Sequence, residues 1–197
     1  MNTPSPSVET SKWRPAALSL TVLGAFARLL PHPPNFAPVG ATSVFAGARL
    51  PVWQAYFVPL VLMAITDPII YASYGIPFSF RSRLWIYGSF MISVSIGRAL
   101  RRTENPVRIG AALFLSALQF FLISNFGTWV GHDGTSMYAH TLTGLIACYT
   151  AALPFFGWTL LSDFTYGAVF FGLHAWLSRT VAPVENVAAY RPLLEQR

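Results

Sequence analysis

Apolar positions in this chain fall in long unbroken runs, neither alternating as on a half-buried strand nor confined to one helical stripe. Runs of that kind belong to helices surrounded by lipid or by other apolar helices. Counting about 20 residues to a span, and shortening where proline or charge intervenes, predicts helices over residues 15–30, 52–74, 84–100, 107–125 and 155–178. Two further apolar segments, residues 37–49 and 140–153, are too short to cross unaided. The expectation is an all-α, polytopic membrane helix bundle with five long helices, two short apolar segments and about six crossings.

The interruptions divide the chain further. "PHPPNFAPVGA", residues 31–41, ends the first helix, because proline cannot continue a helix and restricts the residue before it. Residues 1–14 are polar and proline-rich and are expected to form a disordered tail, residues 15–179 a single transmembrane domain, and residues 180–197 a polar C-terminal tail. No small-residue cleavage site follows the first apolar run, so it is expected to stay as a helix. A candidate internal repeat pairs Asn35-Phe36, Gly47, Pro59 and Asp67 with Asn125-Phe126, Gly144, Pro154 and Asp163, in the same order though with unequal spacing.

Composition agrees with the pattern. Of 197 residues 54% are hydrophobic and only 10% charged, against about 25% charged in soluble domains. A porin-like barrel is disfavoured, since its strands alternate polar and apolar residues. The net charge of +6 is almost wholly arginine. Its arginines flank apolar runs and no nucleic-acid module is present, so they are read as topology determinants and not as a nucleic-acid surface. Arg98, Arg101, Arg102 and Arg108 lie in one short loop, which the positive-inside tendency assigns to the cytoplasm; the loop at residues 126–139 then faces outward, as does "PHPPNF" if the first short segment crosses. Arg81 and Arg83 also fall outside, against the tendency. The single cysteine, Cys148, excludes an intrachain disulfide and a cysteine-cluster metal site.

The chemistry-bearing residues are few. Asp67 and Asp163 stand inside apolar spans, where a carboxylate costs roughly 2.5 to 3.5 kcal/mol on insertion scales. Each is read either as a ligand contact or as a local device, capping a half-helix or bonding a neighbouring hydroxyl. Asn35, Phe36, Asn125, Trp129 and His132 form a polar and aromatic set at helix ends, suited to gripping a polar organic molecule by hydrogen bonds and stacking. Interfacial aromatics are the plainer reading of Trp129. The four histidines show no metal spacing, and no catalytic or cofactor motif is present. Small residues recur at four-residue spacing in Ala17, Thr21 and Ala25, in Ser89, Ser93 and Gly97, and in Ala168 and Gly172, where they allow close helix packing or docking of a partner.

The stretches "RLLPHPPNFAPVGA", "ITDP", "SNFGTW" and "TLTGLIACYTAALPFFGWTLLSD", from Arg28 to Asp163, resemble a family of small bacterial multi-pass membrane proteins of unknown function. That family is distantly similar to the substrate-binding S components of energy-coupling-factor transporters. The resemblance implies six helices, capture of a vitamin or similar micronutrient from outside, and docking through small residues of the first helices onto a transporter transmembrane subunit driven by ATPases. The Ala17, Thr21, Ala25 row is similar to that docking motif but departs from it at Thr21. The segment at 140–153 is a second departure. Expected, then, is a solute-binding or transport subunit of a bacterial inner membrane, with the lipid bilayer and a small-molecule ligand as its partners. Its ligand contacts would be Asn35, Phe36, Asp67, Asn125, Trp129, His132 and Asp163. The alternatives are an intramembrane enzyme using Asp67 and Asp163 as acid and base, and a membrane assembly factor.

Overall fold

The computed structural model describes residues 14–75, 80–101, 103–131 and 137–180, with no account of the side chains of 80–82. Most of both tails, together with His132, lies outside the described residues. Among the described residues six helices follow one another: α1 (Arg14–Ala27), α2 (Val39–Arg49), α3 (Val52–Ser73), α4 (Phe80–Arg98), α5 (Pro106–Val130) and α6 (Leu142–Thr180). Among the described residues there is no strand. Three helices, α3, α5 and α6, are long and apolar enough to cross a membrane. The protein is therefore a membrane-type helical bundle.

The short segment expected at residues 37–49 is the centre of the molecule. Every residue of α2 from Val39 to Ala48 is buried, and α2 packs against all five other helices. Its sequence, "VGATSVFAGAR", explains this, since small side chains let neighbouring backbones close in from every direction. The tightest approach is to α4, where Gly47 lies on the backbone of Val94 and Gly97 on that of Val44. A side chain at either glycine would overlap a main-chain carbonyl. The hydroxyls of Thr42 and Ser43 donate to Pro38 and Val39 carbonyls one turn back, so they enter the core already satisfied. Phe45, the one large side chain among these residues, packs between Phe170 and Phe171 of α6.

Two expectations are corrected. Residues 140–153 and 155–178 are not separate segments but one helix of 39 residues that passes through Pro154. At 1.5 Å per residue it is about 58 Å long, well beyond the roughly 30 Å of a bilayer's hydrocarbon core. Proline within the helix forfeits one backbone hydrogen bond, whereas breaking the helix in apolar surroundings would strand several. Likewise "SNFGTW" is no loop, because α5 continues to Val130. Ser124, Asn125 and Thr128 donate to the carbonyls of Phe120, Phe121 and Ser124 one turn back, which keeps these polar residues helical.

The small-residue rows also have definite places. Ala17, Thr21 and Ala25 are buried in the chain's own bundle. Ser93 accepts from Ser116, and Gln119 donates to Ser93 Oγ and to the carbonyls of Ser89 and Ser116, which ties α4 to α5. Ala168 and Gly172 are exposed.

Candidate functional site

Asp67 sits one residue before Pro68 in α3, only 1% exposed, beside Arg28 just past the end of α1. Arg28 Nη2 lies 2.7 Å from Asp67 Oδ1, an ion pair that is not aligned as a hydrogen bond. Tyr87 of α4 donates its hydroxyl to Oδ2 at 3.0 Å. Arg28 Nη1 donates to Thr66 Oγ1 at 3.1 Å, and Thr66 in turn donates to the Leu62 carbonyl. A second cation stands close by: Arg83 of α4 lies over the ring of Tyr71 at 4.2 Å and within Coulomb reach of Asp67, Tyr87 and Arg28. A buried carboxylate survives in such a place because both of its oxygens are matched.

Asp163 meets a different need. Pro38, the N-cap of α2, offers no side-chain cap, and the backbone N–H of Ala41 instead donates to Asp163 Oδ1 at 2.8 Å. Gly40 lies against the same carboxylate, where any side chain would overlap it. Next to it, Ser162 Oγ donates to the Ala37 carbonyl at 2.8 Å. The "LSD" of α6 thus grips the entrance of α2 and places a carboxylate at the positive end of its dipole.

The opposite end of α2 is closed by arginines. Arg98 of α4 donates to the carbonyls of Gly47 and Leu50, at 3.3 and 2.9 Å. Arg49 of α2 returns the favour, donating to the carbonyls of Leu100 and Thr103 and to Glu104 Oε1 at 2.8 Å. Arg98 thus covers the last carbonyls of α2, where a cation is favoured, while Arg49 binds the turn that follows α4.

The remaining expected residues are spread out. Asn35 is exposed and takes a left-handed conformation, φ 61°, which asparagine tolerates better than most residues. Phe36 packs against Trp158 and Tyr166 of α6, with ring centroids 6.3 and 5.8 Å away. The Asn125 amide donates within its own helix, and the Asn125 carbonyl accepts from Cys148 at 3.4 Å. Trp129 Nε1 donates to the Ala139 carbonyl at 3.0 Å, its ring near His140 and Phe126. Phe36 thereby comes to the neighbourhood of Asp163, while Asp67 and the Asn125–Trp129 pair have separate sets of partners. The residues matched in the candidate repeat occupy unlike settings, Asn35 in a loop and Asn125 inside a helix.

Sequence reasoning missed Arg28, Arg83 and Tyr87. The signal was present: a carboxylate in an apolar span requires a cation, and Arg28 opens the "RLLPHPPNFAPVGA" stretch. An apolar groove of about 280 Å³ between α5 and α6 is lined by Phe121, Leu145, Ile146, Tyr149, Thr150 and Leu153, none of them an expected site residue. Among the described residues, no three His, Cys, Asp or Glu side chains come together.

The chain belongs to a family of unknown function, DUF6580, whose model matches residues 9–187. No curated protein and no solved structure matches it.

Proposed function

We propose that this protein is a multi-pass subunit of a bacterial inner membrane that binds or transports a small solute, of the vitamin or micronutrient kind, at the end of the bundle marked by Arg28, Asp67 and Arg83. The observation that carries the reading is the buried Arg28–Asp67–Tyr87 group with Arg83 beside it in an otherwise apolar chain. Charges inside membrane domains are expensive and mark solute paths far more often than they serve as filler. "PHPPNF" follows Arg28 after two leucines and offers an exposed asparagine. On this reading its partners would be a transporter transmembrane subunit and ATPases.

The enzyme alternative requires Asp67 and Asp163 to act on one substrate, yet each is matched by internal partners of its own. The assembly reading has one observation in its favour, the exposed Ala168 and Gly172 row on α6. It predicts that Gly172→Leu removes a stable partner from the purified complex.

Native mass spectrometry of the full chain, purified in mild detergent, tests the solute reading. A small molecule should leave with the wild-type protein and be depleted in Asn35→Ala and Asp67→Asn variants. A wild-type protein that is empty from every growth medium, and unchanged by those substitutions, would sink the proposal.

A further inference from the structure

Charge does not balance among the described residues around Asp67. The group holds two guanidinium ions, Arg28 and Arg83, against the single carboxylate of Asp67. Asp67 is already engaged on both oxygens, by Arg28 and Tyr87. Arg83 is half-buried and rests on the ring of Tyr71, and no carboxylate of the described residues pairs with it. The Nε atoms of Arg28 and Arg83 are both buried without a hydrogen-bond partner among the described residues. Leaving a cation uncompensated in a partly desolvated place is costly, and the usual remedy is an anion. Topology offers no other reason for Arg83, because on the proposed orientation it lies on the outer side, where the positive-inside tendency calls for no arginine.

We infer that the group is an anion-binding site: it takes a carboxylate or phosphate group on Arg83 and Arg28, with Asp67 and Tyr87 holding Arg28 in position. This inference rests on the solute-binding reading and names its substrate class. Guanidinium ions suit such groups because their forked N–H donors match carboxylate and phosphate oxygens. The ring of Tyr71 under Arg83 orients that fork without neutralising it.

The test uses full-length protein in nanodiscs of phosphatidylcholine in low-salt buffer, with the thermal midpoint read at rising benzoate, inorganic phosphate or choline. Benzoate or phosphate should raise the midpoint by a few degrees while choline does not, as mass action requires for a ligand of the folded state. Arg83→Gln should keep helical circular dichroism and lose the response; Arg83→Lys should weaken it several-fold. Where Arg83→Gln does not fold, Arg83→Lys answers the question alone, and an unchanged response there overturns the inference. Discs containing phosphatidylglycerol separate the sources of the anion. A midpoint raised by that lipid, with no further rise from soluble anions, identifies a headgroup, and a rise in either kind of disc supports the site.

No response to any anion overturns the inference, as does a response in Arg83→Gln equal to that of wild type. The two readings fail separately. A neutral or cationic molecule that co-purifies with both wild type and Arg83→Gln removes the anion site and leaves solute binding standing, whereas an empty, unresponsive protein removes both.

Discussion

Asp67 and Asp163 are the same residue in the same kind of apolar span, and both are almost wholly buried, yet they are compensated in different currencies. Asp67 is met by a cation and a phenol, with a second cation close by, so among the described residues this group holds two cations against one carboxylate. Asp163 is met by a peptide N–H and by the dipole of a helix whose far end is closed by Arg98. One arrangement leaves charge over for something else to bind; the other is closed on itself. On the proposed reading the first group binds, while the second sets the central helix.

Substitutions can break the contrast, and the largest effect is expected at the ion pair. Asp67→Leu strands Arg28 in the bundle and should cost about 3–5 kcal/mol, whereas the double variant Asp67→Leu with Arg28→Leu should recover most of that loss. Denaturant titration in mixed micelles gives both values, and equal losses for the single and double variants would remove the ion pair from the account. Gly40→Val is the next test. Its side chain overlaps the Asp163 carboxylate and forces α2 away from α6, for a loss of about 1–3 kcal/mol in the same titration. Asp163→Leu leaves the Ala41 N–H buried without its acceptor and should cost a similar 1–3 kcal/mol, roughly the desolvation of one donor. The smallest change sharpens the comparison most. Asp163→Asn keeps an acceptor for Ala41 and removes only the charge, so the loss should stay near about 1 kcal/mol or below, with solute retention in native mass spectra unaltered. Loss of the solute in that variant would show that Asp163 touches it and that the two carboxylates do not divide the roles as described.

The α2 segment illustrates how far the chain could be read in advance. Its small residues and its shortness were plain, and both mark close packing. That it would be surrounded by five helices was not, because a pattern of small residues reports how near a neighbour can come and not which neighbour comes. α6 teaches the reverse lesson about proline. Pro154 read as a boundary, but in apolar surroundings the unbroken backbone ladder outweighs the single bond that proline forfeits. Asn125 and Trp129 were legible as polar groups near a helix end, yet the amide folds back on its own helix and the indole bonds a loop carbonyl, partners that exist only once α5 and the following loop are built.

By itself the sequence determined the setting and the elements: apolar runs too continuous for water, helices because the backbone must satisfy itself there, and two carboxylates conspicuous for their cost. Local composition and periodicity carry that information. Only the tertiary structure decided what each carboxylate meets, since Asp163 finds its donor 122 residues away and Asp67 reaches back across α2 to Arg28. A buried charge states that a partner must exist, but the choice of partner belongs to the packing that brings distant segments within about 3 Å of each other.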